Sequence, residues 1–208
     1  MTLALLMAGA YLLGSVPFGM LVARGRGIDL RAVGSGNIGA TNVWRALGPG
    51  WALVVFALDF GKGVVSVLAA RALLGGEATA WWPAGGWVLT GVAAIVGHTF
   101  PVFAGFHGGR GAATGLGTVV GLHWPTAVIA AGVWGATLWA TRIVSVSTLV
   151  TVVAVPITMR LMHTGAPITA LGIGGATLIF VRHISNIRRL LRGEEPRIGR
   201  RRSAGRND

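Results

Sequence analysis

The chain has 208 residues, of which 53% are hydrophobic and 12% charged, with a mean hydropathy of +0.68. Soluble domains carry about 25% charged residues, so this composition excludes a water-soluble globule and indicates one polytopic membrane domain. The absence of cysteine excludes disulfides, thiolate nucleophiles and cysteine metal sites.

The net charge of +12 does not indicate nucleic acid, because nine arginines lie in 182–206, after the last apolar run. A basic tail beside a membrane span sets topology and meets anionic lipid.

Apolar runs fall near 2–23, 51–70, 79–97, 112–122, 124–140, 143–162 and 167–181. A span needs about 20 residues at 1.5 Å rise. The first run starts at Thr2 with no Lys or Arg before it and no small-residue cleavage site after it, so it reads as a span and not as a cleaved signal peptide. The fourth run is short, and 112–140 reads as one span or two. His123-Trp124-Pro125 is a plausible break, since proline cannot continue a hydrogen-bonded turn.

Charge decides for two. With about seven transmembrane helices, N-terminus outside and C-terminus cytoplasmic, Arg24, Arg26, Arg31, Arg45, Arg110, Arg142 and the tail put 15 of the 18 Lys+Arg inside. Only Arg71 and Arg160 face outward, as the positive-inside rule requires. The expected organisation is an all-α integral membrane domain over 1–187 and a basic cytoplasmic tail over 188–208. This topology gathers the 34–45 loop, the 98–111 loop and the start of the tail on one side, with Asp59 and Lys62 near the inner end of the second span. No internal repeat marks an inverted-repeat transporter.

Gly34-Ser35-Gly36-Asn37-Ile38-Gly39-Ala40-Thr41-Asn42-Val43-Trp44-Arg45 is full of small and hydrogen-bonding residues between apolar runs. Its glycines allow tight bends and close approach to a ligand. Thr41 and Arg45 share a helical face, and backbone N–H groups at a helix start with an arginine one turn in suit a phosphate. Gly34, Gly36 and Gly39 match G-x-G-x-x-G, but without a preceding strand this is no dinucleotide fold.

Asp59-Phe60-Gly61-Lys62-Gly63 places an i, i+3 charge pair in an apolar run, either a structural ion pair or a functional site. Gly63 follows the lysine, so this is not a phosphate-binding Walker loop. His98-Thr99-Phe100-Pro101 leads to His107-Gly108-Gly109-Arg110-Gly111, a second anion-binding candidate. Arg182, His183 and Asn186 place a cation, an imidazole and an amide at the inner end of the last span. His183 and Asn186 share a face, and Arg182 is expected to point elsewhere, toward lipid headgroups. Ser145 and Ser147 follow Arg142 as ligand-binding or helix-packing serines.

Together these segments resemble the bacterial acyl-phosphate:glycerol-3-phosphate acyltransferases, the PlsY family, over nearly the whole chain from Gly14-Ser15-Val16-Pro17-Phe18-Gly19 to Ile198-Gly199. The 35–45 stretch looks like the family's first motif and Asp59 to Gly63 its second. Gly97-His98-Thr99-Phe100-Pro101 through Gly108-Gly109-Arg110-Gly111 and Ala113-Thr114 look like its third. Arg142-Ile143-Val144-Ser145 and Arg182-His183-Ile184-Ser185-Asn186-Ile187 look like later signatures. The third motif usually reads Lys-Gly-Gly-Lys-Gly; here His107 and Arg110 replace the lysines, and Arg110 keeps the charge with a planar fork.

The resemblance implies a metal-free, cofactor-free enzyme of the bacterial inner membrane with its active site facing the cytoplasm. It moves an acyl chain from acyl phosphate to the 1-hydroxyl of sn-glycerol-3-phosphate, giving lysophosphatidic acid and inorganic phosphate for phospholipid synthesis. The implied partners are glycerol-3-phosphate, acyl phosphate and membrane lipids. Implied for glycerol-3-phosphate are Ser35, Arg45, Arg110, His183 and Asn186, with His183 donating a hydrogen bond to phosphate. Gly36, Asn37, Thr41 and Asn42 with Ser145 would hold the acyl phosphate, and Lys62 would offset charge at the transferring centre. His98, Gly108, Gly109, Gly111 and Thr114 complete the expected substrate-binding set.

Two rivals differ in class. An acyltransferase of the His-x4-Asp type lacks its aspartate, since Phe103, Ala112, Val128, Ile168 and Arg188 stand five positions after the five histidines. A transporter of a phosphorylated small molecule would use the same basic loops but release no phosphate.

Overall fold

The structure, a computed structural model, describes residues 1–75 and 85–199. The start of the expected third span, Glu77 and the last four arginines of the tail lie outside the described residues.

The described chain is all-helical. Its elements are α1 (Thr2–Ser15), α2 (Phe18–Arg24), α3 (Ala40–Leu47), α4 (Pro49–Leu74), α5 (Gly85–Thr99), a 3-10 turn (Val102–Ala104), α6 (Ala112–Thr141), α7 (Val144–Leu161), α8 (Ala166–Arg182) and α9 (Ile184–Leu191). By length and hydropathy five stretches can cross a membrane: Thr2–Arg24, Pro49–Leu74, Gly85–Ala104, Ala112–Thr141 and Val144–Leu161. The pair α8 and α9, bent by 57°, makes a sixth.

The long α6 is two helices in sequence. Its backbone leaves helical geometry at His123 (φ −157°, ψ 86°), inside the expected His-Trp-Pro break. The His123 side chain then starts the second half: its Nδ1 accepts the Thr126 N–H at 3.3 Å and lies 2.9 Å from the Thr126 hydroxyl. A side-chain acceptor three residues ahead of a helical N–H is the geometry of an N-terminal cap. Pro125 has no N–H for the Gly121 carbonyl four residues back. Arg71 of α4 supplies the missing donor, its Nη1 2.8 Å from Gly121 O, with its guanidinium 4.8 Å from the Trp87 ring centroid. Lipid offers no water for an orphaned carbonyl, so an arginine at this depth has a backbone partner.

Both ends of α6 lie on one face of the bundle. At its start, the Thr114 hydroxyl bonds Asp59 O of α4 at 2.8 Å. After its end, the Arg142 carbonyl accepts the Ile198 N–H at 2.8 Å, in the segment that also contacts α7 and α9. A straight helix of 30 residues would separate its ends by about 45 Å. The halves therefore run in opposite directions, with Gly121 and His123 at the far end beside Arg71. Thr126 contacts Met162 at the far end of α7.

Small residues set how closely the helices approach. A Cβ on Gly63 of α4 would overlap Thr114 O, and one on Gly117 of α6 would overlap Phe60 O. Gly14 of α1 and Gly97 of α5 meet Ala94 O and Tyr11 O in the same way. Helix association in lipid rests on this dispersion packing. Two buried clusters organise the interior. Val67, Val88, Ile95, Val119, Leu122 and Met159 join α4 to α7. Met20, Leu30, Ile38, Val43, Val55 and Ala104 seat the connecting loops on α2, α3 and α4. Trp139, Leu53 and Val128 are exposed apolar residues on the outer faces, as expected of a surface solvated by lipid.

Replacing Arg71 by leucine should leave the Gly121 carbonyl without a donor and cost about 1–3 kcal/mol. A lowered melting temperature in detergent is the expected result, with the KM for substrate unchanged. A melting temperature equal to wild type would show that the carbonyl finds another donor.

Candidate active site

The first loop is shaped by its own side chains. Gly34 and Gly36 take positive φ (60° and 67°), a region costly for residues with a Cβ. Asn42 lies beneath the loop, 1% exposed. Its Nδ2 donates to Leu30 O and Val33 O, and its Oδ1 accepts the Ser35 N–H, all at 3.0 Å. Every hydrogen of that amide is used within the loop, so Asn42 braces the loop and has no N–H left for the acyl phosphate it was expected to bind. Asn37 Oδ1 accepts the Gly39 N–H at 2.8 Å, and Gly39 is the N-cap of α3. Ser35, Gly36, Asn37 and Thr41 remain partly exposed, and Arg45 is exposed one turn into α3.

The second loop folds back on α5. Gly108 N donates to Thr99 O at 3.2 Å and Gly109 N to His98 O at 3.1 Å. A Cβ on Gly108 would overlap His98 O, and one on Gly109 would overlap His98 Nε2. Arg31 Nη2 reaches Ala104 O at 2.7 Å and ties the first loop to the second. Arg182 does not extend to headgroups as expected. Its Nη2 donates to Gly108 O (3.1 Å) and Gly109 O (3.3 Å), because two adjacent carbonyls at the loop apex need donors that the turn lacks. Gly111, with φ 82°, caps α6 and leaves Arg110 half-buried at the mouth of the site.

The third component was not anticipated. Glu195, four residues beyond α9 and 8% exposed, turns back into the bundle. Its Oε1 accepts the Ser145 hydroxyl (2.8 Å) and the Asn186 Nδ2–H (2.6 Å), and its Oε2 accepts Arg189 Nε–H (2.7 Å). The 187/188 boundary expected between membrane domain and tail falls inside α9, and the segment to Ile198 packs on the body. The available signal was a carboxylate pair, Glu194 and Glu195, inside a run of arginines.

These contacts create a strongly cationic site. Although its side chain reaches solvent, partial desolvation lowers the Arg45 pKa, with Glu195 opposing and Arg189 adding to the shift. Arg110 is pushed down to about 10, first by burial and then by Arg189, Arg45 and Arg182, against Glu195. Burial alone would raise the Glu195 carboxyl, but hydrogen bonds from Asn186, Arg189 and Ser145 hold it below its ordinary value. Among the described residues, neither Arg45 nor Arg110 has an ion-pair partner within reach.

His183 and Asn186 present acceptors. His183 Nδ1 is 2.7 Å from Ile179 O. A carbonyl only accepts, so Nδ1 carries the proton and neutral Nε2 carries the lone pair. In that tautomer the free Nε2 is an acceptor, and not the phosphate donor that was expected. Asn186, 2% exposed, gives its N–H to Glu195 and keeps a buried Oδ1 without a partner among the described residues.

A second polar cluster stands apart. Asp59, Lys62 and His98 are 3%, 3% and 6% exposed. Lys62 Nζ donates to Asp59 Oδ1 (2.7 Å) and Val16 O (2.6 Å) and lies 4.8 Å from the Phe18 ring centroid. His98 Nδ1 is 3.6 Å from the same carboxylate oxygen. Lys62 thus neutralises Asp59 and braces the α1–α2 turn, where it was expected to meet transferring phosphate. His98 lies under the second loop, its Nε2 covered by Gly109, and Thr114 spends its hydroxyl on Asp59 O. These three support the loops from below, while Arg45, Arg110, His183, Asn186 and Ser145 converge around Glu195.

The fold and this site define a multi-pass membrane protein with a cationic face built from two glycine loops and the segment after α9. The glycerol-3-phosphate acyltransferase family model matches residues 4–193, and the chain belongs to that family. It is 45% identical over 195 residues to a glycerol-3-phosphate acyltransferase of Gloeobacter violaceus, covering 92% of this chain and 93% of that one. It is 47% identical over 193 residues to one of a Jannaschia species, covering 92% and 90%. Among solved structures, PlsY, an integral membrane glycerol 3-phosphate acyltransferase, superimposes in its glycerol 3-phosphate form with a TM-score of 0.90 at 38% identity. In its lysophosphatidic acid form the TM-score is 0.87 at 37% identity. Each comparison covers 96% of both chains.

Proposed function

We propose that this protein transfers an acyl chain from acyl phosphate to the 1-hydroxyl of sn-glycerol-3-phosphate, releasing lysophosphatidic acid and inorganic phosphate. The observation that carries the reading is the pairing of guanidiniums at Arg45 and Arg110, without an ion-pair partner among the described residues, with acceptors at His183 Nε2 and Asn186 Oδ1. Guanidiniums hold a phosphate dianion, and acceptors hold hydroxyl hydrogens. Glycerol-3-phosphate has both groups on one small molecule.

The acyl phosphate phosphoryl group lies against the first loop, where Ser35, the backbone of Gly36 and the start of α3 near Thr41 supply donors. Its chain lies in an apolar groove of about 680 Å³ lined by Trp44, Gly135, Leu138, Trp139 and Arg142. The groove shares α3 with Arg45, so the lipid-borne substrate reaches the site from the bilayer while glycerol-3-phosphate arrives from water.

In the reaction the glycerol 1-oxygen forms a bond to the acyl carbon, and the acyl carbon–phosphate oxygen bond breaks. The departing phosphate takes the electron pair. His183 gives its Nδ1 proton to Ile179 O, and its free Nε2 accepts the hydrogen bond of the hydroxyl. A phosphomonoester has a second pKa of about 6, so the proton leaves with phosphate and His183 orients the hydroxyl. Arg45 and Arg110 stabilise charge growing on the leaving group.

The protein sits in the bacterial inner membrane with this face cytoplasmic. Counting the halves of α6 as separate passes brings the six apolar stretches to seven, which leaves most arginines inside. The segment to Ile198 then packs on that cytoplasmic face. A topology reporter fused after Arg206 should report cytoplasm and one near Glu77 the outside; reversed signals would overturn the orientation.

Purified protein given acyl phosphate and glycerol-3-phosphate should release phosphate and lysophosphatidic acid in equal amounts. Glycerol-3-phosphate uptake into proteoliposomes without phosphate release would instead favour a transporter. Arg45→Ala should lower kcat/KM by about 2–4 kcal/mol of transition-state binding while the protein remains folded. A near-normal kcat/KM would remove Arg45 from the site.

A further inference from the structure

Glu195 is the carboxylate among the arginines of this site, and the reaction just described gives it no step. It joins three elements at once: Ser145 at the start of α7, and Asn186 and Arg189 on α9. The backbone bond from Ile198 N to Arg142 O fixes the segment that carries it. An ionised carboxylate is an acceptor only. Placed 2.6 Å from the Asn186 amide, it admits one orientation of that amide, with NH2 toward Glu195 and carbonyl oxygen away. The result is a buried Asn186 Oδ1 with no partner among the described residues. Leaving such an oxygen without a partner is costly, unless a ligand hydroxyl meets it.

We propose that Glu195 is a positioning residue for glycerol-3-phosphate: by accepting the Asn186 N–H, it commits the Asn186 carbonyl oxygen to a substrate hydroxyl. The inference rests on the substrate assignment above. It also makes the selectivity of the His183–Asn186 pair one for hydroxyls, while Arg45 and Arg110 take the phosphate. Glu195 has a second effect through charge, since it lies close enough to Arg45 and Arg110 to oppose their shifts. It limits repulsion among the guanidiniums without occupying either one.

Reversing the polarity of the pair tests this. Asn186→Asp alone sets two carboxylates against each other. In Glu195→Gln with Asn186→Asp, the glutamine NH2 donates to Asp and to the Ser145 oxygen, and its carbonyl accepts Arg189 Nε–H. Every hydrogen bond survives, those to residue 186 and Ser145 with donor and acceptor exchanged and that from Arg189 unchanged; net charge is kept, and an acceptor still faces the substrate. The measurements are KM for glycerol-3-phosphate at saturating acyl phosphate, and Kd for glycerol-3-phosphate by calorimetry, on the full-length protein.

Glu195→Ala should raise both constants about tenfold with a much smaller change in kcat, the size of one lost hydrogen bond. Asn186→Asp should raise them about a hundredfold, and the double variant should return to within about tenfold of wild type. A purely structural Glu195 would lower melting temperature and kcat together, and reversal would not rescue binding. A folded double variant no better than Asn186→Asp, or a wild-type Kd in Glu195→Ala, would overturn the proposal. Wild-type protein that binds glycerol-3-phosphate but forms no lysophosphatidic acid would sink the reaction instead, and the Kd series would still decide the role of Glu195.

Discussion

Four guanidiniums, Arg45, Arg110, Arg182 and Arg189, share one face of the bundle around the carboxylate of Glu195. Two unit charges a few ångströms apart near a protein surface interact with about 4 kcal/mol. Such a cluster persists only because each member is restrained. Arg182 is fixed on the Gly108 and Gly109 carbonyls, and Arg189 on Glu195. Arg45 and Arg110 keep no such partner, and Arg110 is shifted to about 10. The face therefore favours an incoming dianion before any single contact is made, and the two unrestrained guanidiniums are the ones left to meet it.

Much of this was legible in the sequence, for identifiable reasons. Lipid imposes length and hydropathy on spans, so the apolar runs map onto the helices, and Pro125 marks the place where α6 breaks. The glycine loops were visible because tight turns and close packing restrict residue type. Side-chain direction was not legible. Arg182, adjacent to His183, was expected to face lipid, yet the chain turns by 57° between α8 and α9 and the arginine folds over the second loop. Helical phase does not carry across such a bend. Asn42, Thr114, Lys62 and His98 stand in or beside the glycine motifs, but their polar atoms are consumed by backbone carbonyls, Asp59 or packing. Residue type signalled that a polar partner was needed and did not say which one.

Glu195 escaped notice for a related reason. It lies in a basic tail whose composition reads as a solvated, lipid-facing segment, and only three-dimensional return places it against Ser145 and Asn186. The same geometry reverses the expected part of His183. A single carbonyl, Ile179 O, fixes its tautomer, and a single carboxylate fixes the Asn186 amide. Two acceptors that look interchangeable with donors in the sequence acquire polarity from neighbours four and nine residues away, one on each side of the bend.

The polarity of those neighbours bears on how little chemistry the protein itself must do. In the proposed reaction the acyl donor arrives already activated, and its phosphate departs as a stable anion able to carry a proton. A histidine backed by a neutral carbonyl and not by a carboxylate would be a poor choice for an enzyme that had to generate an alkoxide. It suits one that must orient a hydroxyl while two arginines draw charge toward the leaving group. Holding two substrates from different phases in near-attack geometry can supply a large share of the barrier reduction. That demand explains why so many polar atoms here serve as braces. Asn42 braces the first loop, Arg182 and His98 brace the second, and Glu195 braces the tail. Rigid loops at the end of a bundle place a water-borne phosphate beside a lipid-borne acyl group, and the reacting groups come with the substrates.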